Sequence, residues 1–338
     1  MCGVMKLKIL NENSFEDVRV LVIGDIMLDE YIYGDVVKIS PEAPIPVIKV
    51  NKRTCSLGGA ANVAVNLREL GCQVSLSGII GKGRDSRTIK RLCRNHNINI
   101  EGVIAGKGRY LTTTKTRIMC QLKQIARYDI EDVGKLSDNF LNQFENHTML
   151  GIKKTVPDYD IVIISDYNKG VLTDDLCFHL IHHCIEKDIP VLVDPKGDDW
   201  DKYKKATWIT PNEKEFKNSY PGAFFDEILD STHRMLKIPN ILLTQSRKGM
   251  TYYLEGYYAG FNEKKHYFPA KTKEVSDVTG AGDTVIATLA AALGAGFNNI
   301  TAVRLSNIAA SIVVGKSGTQ PVKIRELINK HDAFKTNK

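Results

Sequence analysis

Short apolar runs alternate with segments of helical periodicity along this 338-residue chain. The runs "VRVLVIGD" (18–25), "YDIVIISDY" (159–167), "IPVLVDP" (189–195), "ATWITPN" (206–212) and "NILLTQS" (240–246) read as strands. Several are apolar at consecutive positions, as parallel strands covered on both faces should be. Between them, "GAANVAVNLRELG" (59–71) and "DDLCFHLIHHCIEKD" (174–188) have helical spacing. The repeated order of strand, loop and helix predicts a doubly wound, mostly parallel α/β sheet. Two segments break the rhythm. Residues 31–57 place three prolines among short β-like pieces, and 111–131 alternates like a hairpin turning near Gln121 to Gln124. Both are expected to extend from the main sheet as a small β lid, within one domain spanning 16–330 that is followed by a tail, 331–338.

Composition narrows this further. With 43% hydrophobic and 25% charged residues the chain can bury a large core, as one big α/β domain or two smaller ones. Neither an apolar leader nor a run long enough to cross a bilayer is visible, so a cytoplasmic protein with no membrane partner is expected. Seven cysteines at irregular spacing, without a CxxC pair, suit reduced thiols better than disulfides or structural zinc. The net charge of +7 raises the question of nucleic acid. The densest basic run, "KGRDSRTIKRLCRN" (82–95), sets Arg84, Arg87, Lys90, Arg91 and Arg94 at helical spacing with no aromatic residue for base stacking. It reads as a solvated helix face, and no nucleic-acid partner is expected; the remaining excess suits anionic metabolites.

Two common nucleotide signatures are missing. No strand is followed by GxGxxG, and "GKS" at 315–317 lacks the earlier glycine of a Walker A loop, position 310 being alanine. The chemistry instead concentrates in "TGAGD" (279–283), which precedes an apolar run with Val285, Ile286, Leu289 and Leu293 on one helical face. Gly280 and Gly282 let backbone approach a ligand, and the unpartnered amides of a helix start can donate to an anion, most simply a transferring phosphoryl group. Asp283 would then lie beside the phosphate and accept a proton from an attacking hydroxyl. A carboxyl pKa of about 3.9 does not forbid this, because phosphoryl transfer passes through a loose transition state in which the proton leaves late. The alternative for Asp283 is an ordinary helix N-cap.

Other residues have similar double readings. In "TPNEKEF" (210–216), Asn212 and Glu215 offer oxygens suited to Mg²⁺, or are turn and capping residues. Asp25 and Asp29 follow the first strand, and Gly58, Gly59 and Asn62 precede a helix; together they have the donors and acceptors to hold sugar hydroxyls. His179 and His183 lack the glutamate of an HExxH metal site, and the tyrosines of "TYYLEGYYAG" (251–260) suit a hairpin.

Taken together, "GGAAN", "PNEKE" and "DVTGAGD" make residues 16 to about 327 resemble the ribokinase or PfkB family of carbohydrate kinases. The resemblance implies ATP-dependent phosphorylation of a sugar hydroxyl in a ribokinase-like fold, with Asp283 as base and Gly280, Ala281 and Gly282 completing an anion hole. It implies Mg²⁺ organised by Asn212 and Glu215, the latter through water, and Thr244, Gly249, Thr279 and Asn307 at the nucleotide. It also implies a homodimer through the lids.

Within the family, "GDIMLDEYIYG", "ISPEAPIPVIKV", "TTTKTRI", "IARYDIED" and "SDYNKGVL" are most similar to kinases of D-glycero-β-D-manno-heptose 7-phosphate. That branch implies transfer to the anomeric O1, giving the 1,7-bisphosphate on the route to ADP-heptose and lipopolysaccharide core. Bifunctional members continue into a nucleotidyltransferase domain, whereas this sequence ends "NKHDAFKTNK", so a separate nucleotidyltransferase is expected. The segment "NSYPGAFFDEILDST" (218–232) reads as a loop where relatives have a helix. For the distal phosphate, at least one of Arg117, Arg127 and Lys169 is expected to make contact, with Lys115 sharing the face of Arg117. Kinases of ribose, fructose or a hexose phosphate, and a sensor that binds sugar and ATP without turnover, are the alternatives.

Overall fold

The computed structural model describes residues 9–106, 110–121, 123–131, 136–155, 159–254, 265–271, 277–316 and 318–336. Tyr257 and Tyr258 of the tyrosine-rich segment lie outside these residues. Nine strands make the main sheet: β1 (Arg19–Gly24), β4 (Gln73–Ile80), β5 (Asn99–Ala105), β8 (Ile161–Ser165), β9 (Val191–Asp194), β10 (Trp208–Ile209), β11 (Asn240–Thr244), β12 (Gly249–Leu254) and β13 (Lys265–Pro269). Four more make a second sheet: β2 (Ile26–Ile39), β3 (Pro46–Gly59), β6 (Thr113–Cys120) and β7 (Lys123–Ile130). The helices are α1 (Ala60–Leu70), α2 (Arg84–Asn95), α3 (Asp138–Thr155), α4 (Asp174–Glu186), α5 (Glu213–Asn218), α6 (Phe225–Arg234), α7 (Ala281–Gly294), α8 (Asn299–Val313) and α9 (Ile324–Thr336).

The main sheet runs β13-β12-β11-β10-β9-β8-β1-β4-β5. It is parallel from β11 to β5 and ends in an antiparallel β11-β12-β13 edge. Its apolar runs are explained by burial on both sides. Val20 and Val22 of β1 belong to the core beneath α1, α7 and α8, while Leu21 and Ile23 belong to the opposite core beneath α4. The chain winds outward from β1 in one direction through β4 and β5, then returns to pair β8 with the other edge of β1. The sheet therefore reverses direction between β1 and β8, where open α/β folds form ligand crevices beyond the strand ends.

The second sheet has the order β3-β2-β6-β7, with β6 and β7 forming the hairpin expected from 111–131. On α2, the basic run turns Ile89 and Cys93 inward and leaves Arg84, Arg87, Arg91 and Arg94 exposed. Two local readings are corrected. The segment taken as a loop forms α6, because Ile228, Leu229, Thr232 and His233 recur at helical spacing and are buried; Pro221 and Gly222 shape only its approach. At the C-terminus α9 runs through residue 330 to Thr336, with Leu327 and His331 buried.

Candidate active site

Helix α7 begins earlier than its apolar run suggests. Gly280 is the cap residue, in a left-handed conformation (φ 77°), and the helix starts at Ala281. Asp283 is thus the third helical residue, not the cap. Its side chain turns inward, is 5% exposed, and has a donor at each oxygen: Asn62 Nδ2 reaches Oδ2 at 2.6 Å, and the Tyr167 hydroxyl reaches Oδ1 at 2.6 Å. Glycine at 280 protects this arrangement, since a Cβ there would stand 2.9 Å from Asn62 Nδ2. Asn62 comes from α1, whose next turn is tied to α7 by Thr284 Oγ1 donating to Asn66 Oδ1 at 2.9 Å. Burial pushes the Asp283 carboxyl up to about 6, against the two hydrogen bonds that favour its charged form. The Ala281 amide is occupied by the Val278 carbonyl (3.2 Å), whereas those of Gly282 and Asp283 have no backbone acceptor among the described residues. Of the amides expected over 280–283 to meet an anion, that of Ala281 is thus already engaged within the chain.

Asp25 has a different task from the one expected. At 1% exposure its carboxylate accepts the backbone N–H groups of Tyr167 (2.8 Å), Lys169 (3.2 Å) and Val171 (3.4 Å). It braces the loop after β8. Gly59, at φ 58°, carries the chain into α1 where a Cβ would meet the Asp25 carbonyl at 2.3 Å. A Cβ on Gly58 would stand 2.6 Å from an Asp29 oxygen. Both glycines are accounted for by these close approaches.

Two adjoining cavities flank α7. The larger, about 670 Å³, is lined by Val278, Val285, Ala310 and Val314 together with Thr244, Gly249 and Asn307. Asn307 Nδ2 donates to the Pro269 carbonyl at 2.8 Å, which joins α8 to the end of β13. Thr279 does not line it; its amide is held by Asp277 at 2.9 Å in the turn before α7. The smaller cavity, about 170 Å³, is polar and brings Asp194, Lys196, Asn212 and Glu215 to Asp283. Asn212, Thr244 and Gly282 border both. At Gly282 a Cβ would meet nothing within 4 Å, so its missing side chain leaves space at the junction.

Asn212 and Glu215 also cap α5. Asn212 Oδ1 accepts the amides of Lys214 and Glu215, each at 2.9 Å, and Glu215 Oε2 accepts the Asn212 amide at 3.0 Å. The other Glu215 oxygen meets Lys196 Nζ at 2.7 Å. Asp194, unremarked in the sequence, is pushed well above the usual carboxylate range by burial and by the charges of Asp283 and Glu215. Among the described residues, no three His, Cys, Asp or Glu side chains come together closely enough to hold a metal directly.

The cations expected to meet a distal phosphate, Arg117 and Arg127 on the second sheet and Lys169 in the loop after β8, all have carboxylate partners. Arg117, 9% exposed, donates to Asp29 at 2.6 Å and lies 5.3 Å from the Tyr31 ring centroid. Arg127 grips Asp129 through Nε (2.7 Å) and a terminal nitrogen, and Lys169 meets Glu131 at 2.7 Å. Lys115 stands 5.5 Å from the Tyr167 ring centroid, and burial lowers its pKa.

With this geometry in place, the chain can be assigned to a class: it belongs to the PfkB family of carbohydrate kinases, whose model matches residues 18–325. The chain is 39% identical over 91% of its length to the bifunctional protein HldE of Sulfurimonas denitrificans, covering 63% of that protein. It is 37% identical over 92% of its length to the bifunctional protein HldE of Campylobacter curvus, covering 64% of it. The chain thus spans less than two thirds of these relatives. Among solved structures, Arabidopsis thaliana ribokinase complexed with ribose and ATP has a TM-score of 0.67 at 19% identity, covering 93% of this chain and 98% of that one. Phosphofructokinase-2 from Escherichia coli in complex with potassium has a TM-score of 0.73 at 15% identity, covering 94% and 99%. These two share the ribokinase-like fold with the chain.

Proposed function

We propose that this carbohydrate kinase transfers the γ-phosphoryl group of ATP to the anomeric O1 of D-glycero-β-D-manno-heptose 7-phosphate. The observation that carries the kinase mechanism is the placement of Asp283, a buried carboxylate fixed on both oxygens where the open end of α7 meets two cavities. The apolar cavity suits a nucleobase, and the polar one suits the reacting phosphates. The sugar hydroxyl gives its proton to Asp283 as its oxygen bonds to the γ-phosphorus and the bond to the β-phosphate oxygen breaks, with ADP leaving. Sequence likeness to HldE over most of the chain supports the heptose substrate. For the distal phosphate, Arg127 and Lys169 are better placed than Arg117, whose charge is spent in a buried pair.

The family implies Mg²⁺, and the donor set fits it: Asp194, Glu215 and Asp283 bring hard oxygens to one small cavity, and a cation there would relieve the crowding that raises Asp194. Glu215, already engaged by Lys196 and the Asn212 amide, would act through water. Bound Mg²⁺ supplies neutralisation of charge on the transferring phosphoryl group. Glu215→Gln is expected to raise the Mg²⁺ concentration for half-maximal activity several-fold; an unchanged Mg²⁺ titration would leave Glu215 with only its capping role.

The substrate is tested by ADP release over a panel of sugar phosphates, with NMR of the product. Heptose 7-phosphate should turn over fastest and gain a phosphate at O1. Faster turnover of ribose, fructose or a hexose phosphate would replace the heptose reading, and ATP binding without ADP release on any sugar would replace the kinase with a sensor.

A further inference from the structure

The register of the second sheet leaves one cation without an acidic partner. In one row across three strands, Asp29 of β2 stands beside Lys115 of β6, and Lys115 beside Asp129 of β7. The next row on the same face is Tyr31, Arg117 and Arg127. Each arginine reaches diagonally into the first row: Arg117 takes Asp29 at 2.6 Å, and Arg127 takes Asp129 through two nitrogens. Lys169, from the loop after β8, takes Glu131 at 2.7 Å. These three pairs leave Lys115, flanked by two aspartates, with no ion pair among the described residues.

The Lys115 ammonium lies instead 5.5 Å from the centroid of the Tyr167 ring. Burial lowers its pKa; the charges of Arg127 and Lys169 add to this, and those of Asp29 and Asp129 oppose it. A half-buried ammonium beside two other cations is costly, and an anion brought to it relieves that cost. The Tyr167 ring indicates which anion. Its hydroxyl ends on Asp283, so one side chain separates the proton acceptor from the ammonium. Neither cavity beside α7 is lined by a residue of the second sheet, so nucleotide phosphates bound there meet other groups. A compact sugar that presents a hydroxyl to Asp283 and carries a phosphate at its far end would bring that phosphate to the lid side of Tyr167.

We infer that Lys115 is a specificity-determining residue whose ammonium binds the phosphate already present on the sugar, selecting a sugar phosphate over the free sugar. This role presupposes the sugar-kinase reading of the site proposed above, but not the heptose. Lysine is a point charge on a flexible stem, able to follow a phosphate, whereas the arginines beside it are forks already closed on carboxylates. Selection works by omission as well as by attraction, because a free sugar leaves the ammonium uncompensated.

Lys115→Met keeps the stem and removes the charge, and Lys115→Arg restores a charge. Calorimetry on the full chain and both variants compares D-glycero-β-D-manno-heptose 7-phosphate and fructose 6-phosphate, each with its unphosphorylated sugar, and thermal melts are taken without sugar. The wild type should bind a phosphorylated sugar more tightly than its free form. Lys115→Met should lose roughly 10–100-fold in that affinity, the effect of removing a hydrogen bond to a charged group, with affinity for the free sugar and for ATP nearly unchanged. Lys115→Arg should recover part of the loss. Without sugar, Lys115→Met should melt no lower than the wild type, because no ion pair goes with the charge and an unpaired charge is no longer buried. Equal losses on both members of a sugar pair, or no loss on either, overturn the inference, as does a wild type that prefers neither phosphorylated sugar. A clear fall in melting temperature would make Lys115 a support of the lid and overturns it too. A preference for fructose 6-phosphate that depends on Lys115 upholds the inference and overturns the heptose reading instead.

Discussion

Asp283→Asn is expected to lower turnover by about 10²–10⁴-fold, the range for loss of a positioned general base, while ATP binds nearly as well as before. The amide keeps the shape of the carboxylate and one acceptor oxygen for Asn62, its NH2 can donate to the Tyr167 hydroxyl, and the charge and the capacity to take up a proton are lost. In the wild type that capacity depends on pH with a definite sign. Burial raises the carboxyl to about 6, so the charged, competent form dominates above that pH and is lost below it. The rate should therefore fall through an acid limb near pH 6, well above the range of an exposed aspartate. Rapid-quench measurements across pH, with nucleotide binding followed separately by calorimetry, check both parts. Near wild-type turnover in the variant would return Asp283 to a structural role.

The second large effect concerns the lid. Arg117→Ala should destabilise the protein by about 3–5 kcal/mol, because it leaves the Asp29 carboxylate buried without its partner. The pair is short, at 2.6 Å, and both members are shielded, with Arg117 also packed over Tyr31. Asp29→Ala combined with Arg117→Ala should be less damaging than the single change, since neither charge is then stranded. Denaturant unfolding of the three variants decides the matter. A loss below about 1 kcal/mol for Arg117→Ala, the range of an exposed pair, would mean that the guanidinium is free to serve substrate.

The parts legible in the sequence were those with a period or a compact motif. Runs such as "IVIIS" announce a strand covered on both faces, and "TGAGD" before an apolar helix announces a carboxylate at a helix start. Tyr167 was illegible because 116 residues separate it from Asp283, and a single tyrosine in a loop carries no spacing signal. The brace at Asp25 was hidden for a related reason: an aspartate beyond a strand looks the same whether or not it also accepts the amides of another loop. Asn212 and Glu215 show how one spacing can serve two ends, since N-x-x-E caps α5 while Asn212 borders both cavities and Glu215 the smaller one. In the segment 218–232, Pro221 and Gly222 come first and the buried positions that make α6 a helix come only after them.

The cap at Gly280 means that Asp283 is carried by a helix rather than by a loop. Helix α7 is packed between α1 and α8, and its residues from Thr284 to Ala292 are all buried. A helix turns by about 100° per residue, so the bearing of the carboxylate is geared to the whole rod. A one-residue insertion before Asp283 within that first turn would swing the charge to another face, and a small roll of α7 against its neighbours would misdirect it. The aim of the reaction centre is thus written partly in alanines and leucines that no ligand ever reaches, and volume changes there should erode turnover before they unfold the chain.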